Sequence, residues 1–195
     1  PKAMEAARIK NTKPIKNKLI TKELCYVLGV ILGDGNVSQR RLILSATDKD
    51  FVQAFKYNLE KWSKYQTTFN SRMIKTDEII KKRKLQWVCY LNSIKIEKFI
   101  KNFNYNKIKK DSHKINLIKG FFDSEGSFSK DYELIAYNTN KEILNKISKY
   151  LIDLNLKNQI KTYTVNNINK EPIQYHYLKI TGKSRYLFYQ NIGFS

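Results

Sequence analysis

The sequence predicts a mixed α/β fold, of the α+β type, built from two related halves that pack through a pair of equivalent helices. Two apolar segments, residues 27–35 and 118–126, each run through a glycine and end on an acidic residue between turn formers. A further segment, residues 47–51, has a counterpart at 139–143, and helical and strand-like spacing recurs in the same order in both parts. These observations indicate an internal duplication of about 90 residues and therefore a pseudo-twofold molecule.

The first copy follows a lysine-rich stretch, residues 1–17, that lacks apolar periodicity and is predicted to form a basic arm. Thr21 is a suitable N-cap for an apolar helix that ends at Gly33. Strand-like and helical spacing then alternate along the chain. The expected elements are a strand at 37–46, a helix at 48–64, strands at 68–75 and 84–91, and a helix around 96–103.

The second copy repeats this order. Ser112 is the expected N-cap of a helix that ends at Glu125. The elements expected after it are a strand near 132–138, a helix over 144–151, strands at 159–165 and 175–181, and a helix over 186–192. We therefore expect three parts: the arm at 1–17, a first half at 18–106 and a second half at 107–195.

The glycines inside the two motif helices predict how the halves meet. A helical glycine costs about 1 kcal/mol relative to alanine, so Gly29 and Gly120 need a compensating reason, which a close approach of the two helices supplies. Packing through these glycines brings Asp34 beside Glu125. Two carboxylates at the negative ends of two helices repel each other, and a divalent cation relieves that repulsion. For one copy alone, a turn sequence that ends a helix explains the acid better; two copies favour a metal site.

Composition favours a nucleic acid as partner. The chain has 37 Lys+Arg against 17 Asp+Glu, a formal net charge of +20 and a pI near 9.8, which favours a polyanion whose counterions can be displaced. A solvated basic surface in a lysine-rich proteome is the alternative. No apolar run is long enough to span a bilayer, so we expect an intracellular, soluble protein without a membrane partner. The two cysteines and two histidines lack metal-ligand or nucleophile spacing, which argues against a disulfide framework and a Cys/His enzyme.

Basic and aromatic residues recur at period two on the predicted strands, opposite a face of apolar residues. This pattern predicts that one surface of each sheet faces a nucleic-acid groove. Exposed Lys and Tyr on a half-buried sheet explain any one of these residues better, whereas the surface taken together fits a duplex. The candidate DNA-binding residues are Arg40, Arg41, Arg72, Lys75, Lys84 and Gln86 in the first half, and Lys161, Tyr163, Tyr175, Tyr177 and Lys179 in the second.

The two motif segments resemble the paired signature motifs of the LAGLIDADG homing endonucleases, in the single-chain form with two motifs. Residues 44–51, 180–183 and 191–195 also resemble segments of archaeal intron- and intein-encoded members. The resemblance implies two αββαββα halves with saddle-like antiparallel sheets around the paired helices. It also implies a monomer that binds a long double-stranded DNA site and cuts both strands, with Mg²⁺ as cofactor and Mn²⁺ as a substitute.

Several residue roles follow from the same resemblance. Asp34 and Glu125 match the catalytic metal-binding acids, and Gly33 and Ser124 match positions whose carbonyl groups can join the metal shell. Asn138 matches the polar group that organises the attacking water, whereas its counterpart in the first half is Ala46, with Thr47 as a substitute. Lys109 resembles the basic residue of the family, and Lys130 is a second candidate for it. Asp123 retains the first acid of the motif, where we expect it to cap the helix.

Three functions fit this scaffold. The first is a site-specific double-strand DNA endonuclease that hydrolyses one phosphodiester on each strand. The second is a maturase that binds intron RNA and assists splicing without cutting, and the sequence leaves it open. The third is a transcription factor that has lost the acids, and the presence of both Asp34 and Glu125 argues against it.

Overall fold

The computed structural model describes residues 13–38, 40–75, 83–128, 133–167 and 170–195. The first part of the chain forms α1 (Lys22–Leu32), β1 (Asn36–Ser38), β2 (Arg41–Ala46), α2 (Lys49–Ser63), β3 (Thr68–Lys75), β4 (Arg83–Asn92) and α3 (Ile94–Lys101), followed by a 3₁₀ turn (Tyr105–Lys107). The second part forms α4 (Asp111–Glu125), β5 (Gly126–Phe128), β6 (Leu134–Asn138), α5 (Lys141–Asp153), β7 (Asn158–Asn167), β8 (Lys170–Ile180) and α6 (Ser184–Asn191).

The strands form two four-stranded antiparallel sheets with the same topology. Their orders are β1-β2-β4-β3 and β5-β6-β8-β7. Each sheet buries one face under its own helices, with Leu42, Leu91 and their neighbours in the first sheet and Ala136, Leu178 and their neighbours in the second. The predicted α/β architecture of two duplicated αββαββα copies is therefore confirmed.

One apolar core runs through both copies. Side chains of the first part such as Leu28 and Phe55 belong to the same buried cluster as Leu117, Ile147 and Leu178 of the second. The helices α1 and α4 lie at the centre of this cluster and are packed against each other. The seam between the copies is therefore part of the apolar interior.

Three local expectations differ from the structure. The strand expected at 37–46 is a hairpin, because β1 turns back onto β2 with Ser38 opposite Arg41. Helix α4 begins one residue before the expected cap, so Ser112 lies in its first turn and Lys110 precedes it without a side-chain cap. The described end of the basic arm packs on the first copy, where Lys16 lies 4.2 Å above the Tyr65 ring.

No helix among the described residues is both long and apolar enough to cross a bilayer. Thr21 caps α1 as expected, its hydroxyl accepting from the Leu24 N–H at 3.2 Å. Asp48 caps α2 by accepting from the N–H groups of Asp50 and Phe51.

Candidate metal site and nucleic-acid surfaces

Main-chain atoms meet where α1 crosses α4. A Cβ placed on Gly29 would overlap the Leu117 carbonyl oxygen and lie 2.8 Å from the Phe121 nitrogen. A Cβ placed on Gly120 would overlap the Tyr26 carbonyl oxygen. Only glycine permits this approach on both helices, and the helices run parallel, so their carboxyl ends meet at one place.

The two motif acids lie at that meeting point. Gly33 caps α1 at its carboxyl end, and a Cβ there would overlap the Ser124 hydroxyl and lie 2.8 Å from Glu125 Cγ. Asp34 follows Gly33 directly and is near enough for its charge to act on Glu125. The Ser124 hydroxyl itself donates back to the Phe121 carbonyl at 2.9 Å. The structure thus brings together Gly33, Asp34, Ser124 and Glu125.

Asn138 holds the Glu125 carboxylate. It ends β6, and its Nδ2 donates to Glu125 Oε1 at 3.0 Å and to the Leu32 carbonyl at 3.4 Å. Its Oδ1 accepts from the Asn140 N–H at 2.8 Å. Asn138 therefore links the carboxyl ends of both seam helices to the second sheet.

The pKa of each of the two carboxyl groups is raised. Burial and the neighbouring Asp34 charge raise the pKa of Glu125 to about 7, although the Asn138 hydrogen bond lowers it. Burial also raises the pKa of Asp34. Asp34 has no hydrogen bond or ion pair with any other residue in the described segments. The site therefore holds two acids that a positive charge would stabilise strongly.

The two copies differ beside these acids. In the second copy, Asn138 pairs across the sheet with His176, whose Nδ1 lies 2.8 Å from the Thr162 hydroxyl. In the first copy, the equivalent strand end carries Ala46 opposite Trp87, and Lys49 lies above the Trp87 ring at 4.9 Å. The polar pair Asn138 and His176 of the second sheet therefore corresponds to Ala46 and Trp87 in the first sheet.

Asp123 has a different role from the one expected. Its carboxylate accepts from the Tyr26 hydroxyl at 2.7 Å and from the Ser195 backbone N–H at 2.9 Å. The residue therefore links Ser195 to both seam helices and does not cap α4. These partners lie 97 and 72 positions away in sequence, which is why the local pattern did not reveal them.

Lys109 is not part of the site. It precedes the amino end of α4, and a helix that rises 1.5 Å per residue places that end about 20 Å from Glu125. Lys109 was predicted from its position just before α4 in the sequence. Because α4 runs from its amino end toward Glu125, a residue that precedes the helix lies far from the acids. Lys130, the second basic candidate, lies outside the described residues.

The open face of the first sheet collects most of the predicted contacts of that half. Pairing registers place Arg41, Arg72, Lys84 and Gln86 on the face away from the core, and Arg72 Nε donates to Gln86 Oε1 at 2.9 Å. Arg41 lies 5.7 Å from the Tyr90 ring.

Two other residues predicted for this half lie at the ends of strands. Arg40 occupies the β1–β2 turn with φ of 70°, and its carbonyl accepts from the Ser93 N–H at 2.7 Å. Lys75 ends β3 opposite Arg83 in the pairing register, and its side chain lies outside the described part of the molecule. Arg40 is exposed at this turn, whereas for Lys75 only the backbone position can be related to the open face.

The open face of the second sheet is a tyrosine surface. Tyr163 lies 5.6 Å from Tyr175 and 6.1 Å from Tyr177, and Tyr137 lies 5.7 Å from Tyr177 between ring centroids. Lys161 and Lys179 share this face, with Lys179 ion-paired to Glu133. Tyr137 is not among the predicted residues. Its position one residue before Asn138, on a strand whose side chains alternate between faces, places it on the open face.

The cavity beside the acids is open to the second sheet. It measures about 420 Å³ and is lined by Gly33, Glu125, Asn138, Tyr175 and their neighbours. No group of three or more His, Cys, Asp or Glu side chains is arranged around a common point within the described ranges. A cation here would depend on two carboxylates, main-chain oxygens, water and a bound phosphate.

Sequence comparisons relate the chain to LAGLIDADG proteins and to archaeal relatives. Residues 112–193 match the model of the LAGLIDADG-like domain. The chain is 30% identical over 173 residues to the uncharacterised protein MJ0314 of Methanocaldococcus jannaschii, and 30% identical over 139 residues to MJ0398 of the same organism. These matches cover 80% and 64% of this chain but only 63% and 48% of the two relatives.

Structural comparison extends the similarity to both halves. The homing endonuclease I-DmoI in complex with DNA and Mn has a TM-score of 0.61 at 18% identity, covering 90% of this chain and 98% of that one. Its mesophilic variants give a TM-score of 0.62 at 17% identity, with 89% and 96% covered. The N-terminal LAGLIDADG domain of DUF199/WhiA gives 0.61 at 17% identity, with 92% and 84% covered.

At these identities the structural matches establish the fold, and the fold is shared by I-DmoI and by the DUF199/WhiA domain. Residues 112–193 therefore form a LAGLIDADG-like domain, and the chain as a whole has the fold of the single-chain LAGLIDADG proteins that carry two motifs in one polypeptide.

Proposed function

We propose that the protein is a metal-dependent endonuclease that binds double-stranded DNA along its two open sheet faces and hydrolyses one phosphodiester on each strand. The observation that carries the proposal is the pair Asp34 and Glu125, held together at the seam with the pKa of each raised. A structural role does not require two mutually repelling acids side by side, one of them partly buried. I-DmoI, which has the same fold, is a homing endonuclease seen with DNA and Mn, and this supports the choice of substrate.

The donor set fits Mg²⁺ or Mn²⁺. Asp34 and Glu125 offer carboxylate oxygens, and the adjacent Gly33 and Ser124 offer main-chain carbonyl groups. Hard divalent cations prefer such oxygens and retain several waters that a phosphate can displace. When bound, the cation would lower the pKa of water and stabilise charge on the phosphate. Asn138 orients Glu125, and Leu32 and Ile143 add apolar side chains to the lining of the adjacent cavity.

The open faces supply the binding surface. Arg72, Lys84, Lys161 and Lys179 lie on these faces, where cationic side chains attract phosphates and position the duplex. Gln86 and the tyrosine hydroxyl groups can donate to or accept from base edges. We propose the halves 18–106 and 107–195 as two DNA-binding units of a monomer, each reading part of one long site.

The direct test is cleavage of a randomised duplex library by the full chain with Mg²⁺. We expect selected sequences to be cut on both strands, leaving defined ends, and no cutting when EDTA is present. Recovery of no cut sequence with either Mg²⁺ or Mn²⁺ would contradict the proposal.

We expect cation binding to strengthen with pH below neutrality. A cation binds the ionised carboxylate, so below the Glu125 pKa of about 7 each binding event must release a proton. Apparent Mn²⁺ affinity should therefore rise by up to about tenfold per pH unit from pH 5.5 to 7 and level off above that. Calorimetric titration of Mn²⁺ at a series of pH values measures this, and Glu125→Gln should flatten the profile. A flat profile in the unsubstituted protein would contradict the assignment.

We also expect the two strands to be cut at unequal rates. Among the described residues, Glu125 accepts a side-chain hydrogen bond from Asn138 and Asp34 accepts none, and the position equivalent to Asn138 in the first half is Ala46. Asn138→Ala should raise the Glu125 pKa further and slow the faster strand by about tenfold or more, in line with the loss of one positioned polar group. End-labelling each strand separately measures both rates. Equal rates in the unsubstituted protein would show that the asymmetry has no catalytic consequence.

A further inference from the structure

A second cavity lies in the helical layer, away from the acids and from both sheet faces. It measures about 760 Å³, larger than the cavity beside Glu125, and shares no lining residue with it. Its walls are the segment 13–20, helix α3 and the segment 102–107. The described end of the basic arm is held there, since the Ser93 hydroxyl donates to the Lys13 carbonyl at 2.9 Å.

The floor of this cavity is apolar and aromatic. Ile15, Ile20, Phe99 and Phe103 line it. Phe99 stacks on the buried Trp62 at 5.7 Å between centroids, and Phe103 meets Phe99 edge-on at 5.8 Å. The rings are therefore fixed from behind by the core, which leaves a preformed apolar surface of the size that small planar ligands occupy.

The rim of the cavity is cationic. Lys18, Lys95, Lys98 and Lys107 line it together with two asparagines, and no acid lines it. None of these four lysines has an ion pair within the described segments. More lysines lie beyond the 3₁₀ turn, where Lys109 and Lys146 line a separate, smaller hollow together with Asp153.

The internal duplication shows that the fold does not need these lysines. Helix α6 is the counterpart of α3, and Phe188 corresponds to Phe99. Three lysines lie on α3, Lys95, Lys98 and Lys101, whereas α6 has no lysine and a single arginine, Arg185. The aromatic residue is common to both copies and serves the core, while the lysines are particular to the first copy.

We propose that this cavity, named here the α3 pocket, binds an unpaired nucleotide of single-stranded RNA. An aromatic floor suits a base, a cationic rim suits the flanking phosphates, and the lysines beyond the turn extend the phosphate track. The amide groups of Asn102 and Asn104 on the rim can pair with a ribose 2′-hydroxyl. Duplex DNA keeps its bases stacked and offers none to the pocket.

The proposal is independent of DNA cleavage and is tested by binding. The probe is a fluorescent twelve-nucleotide RNA of A and U, titrated with the full chain in EDTA. The rim variant is Lys18→Glu with Lys98→Glu, both at exposed positions. The matched control is Lys157→Glu with Lys183→Glu, which makes the same change in charge at exposed positions of the second half.

We expect the rim variant to weaken RNA binding by tenfold or more, and the control variant to weaken it by less than threefold. Binding of a duplex DNA of the same length should change equally in the two variants. Equal losses of RNA affinity in both variants would overturn the proposal, as would tight binding of a matching single-stranded DNA. A circular dichroism spectrum like that of the unsubstituted protein confirms that the rim variant is folded.

Photo-crosslinking locates the contact directly. An RNA carrying 5-iodouridine at its centre should crosslink to peptides spanning residues 94–107. Crosslinks confined to the tyrosine surface of the second sheet would place the RNA on the proposed duplex face and overturn the assignment to the α3 pocket.

Discussion

Asp34→Asn and Glu125→Gln are each expected to reduce DNA cleavage by about 1000-fold or more, because each removes one of the two carboxylates proposed to hold the cation. Both substitutions are nearly isosteric and remove charge from a site where like charges repel. The fold should therefore be retained or slightly stabilised. Duplex affinity should stay within about tenfold, since many phosphate contacts share the binding energy.

The measurement is single-turnover cleavage of a selected target beside a gel-shift titration in Ca²⁺. Asp50→Asn is a matched control, because Asp50 is an exposed acid in the first turn of α2. The control should cleave at the unsubstituted rate. Cleavage by either motif variant at that rate would show that the acids are not catalytic, while loss of duplex binding in parallel would point to misfolding.

Gly29→Ala and Gly120→Ala are expected to destabilise the protein by at least about 2 kcal/mol each, in the range of overpacked cores. The added methyl group meets a main-chain carbonyl, at Leu117 for one variant and at Tyr26 for the other, and a carbonyl cannot rotate away as a side chain can. Helical propensity alone favours alanine by about 1 kcal/mol, so a net loss isolates the steric effect.

Urea unfolding followed by circular dichroism measures this change. Asn145→Ala, at an exposed position in α5, is the control and should be neutral or slightly stabilising. A separation of the seam helices should also move Asp34 from Glu125, so cleavage should fall even where the variant remains folded. Unchanged stability in both glycine variants would show that the helices are not in main-chain contact in solution.

The duplication made most of the fold predictable. The periodicity of one copy supported the assignment of the same elements in the other copy. An element with weak periodicity, such as the strand that ends at Asn138, could therefore be assigned from its counterpart. The close approach at Gly29 and Gly120 also followed from the sequence, because a conformationally costly residue in an apolar helix requires a reason. The hairpin at 36–46 did not follow, since the polar residues 38–41 at the turn include no Gly, Asn or Pro that would mark it, although Arg40 has a φ of 70°.

The candidate site could be predicted where residues adjoin a sequence motif, and not where contacts join segments that are distant in sequence. Asp34 and Glu125 end equivalent helices, so their meeting follows from the packing of those helices. The interaction of Asp123 with Tyr26 and Ser195 joins distant segments and left no periodic signal. Lys109 was predicted to lie near the acids because it is close in sequence to α4. It precedes the amino end of that helix, whereas Glu125 lies at the carboxyl end.

The seam at Gly29 and Gly120 also bears on how such a protein can diversify. Its tightest contacts join backbone to backbone, and backbone is the same whatever side chains surround it. A half from another lineage that retains its glycine therefore meets the essential requirement for pairing. Recombination between genes could then join halves of different ancestry, which would supply new combinations of surfaces without redesign of the joint.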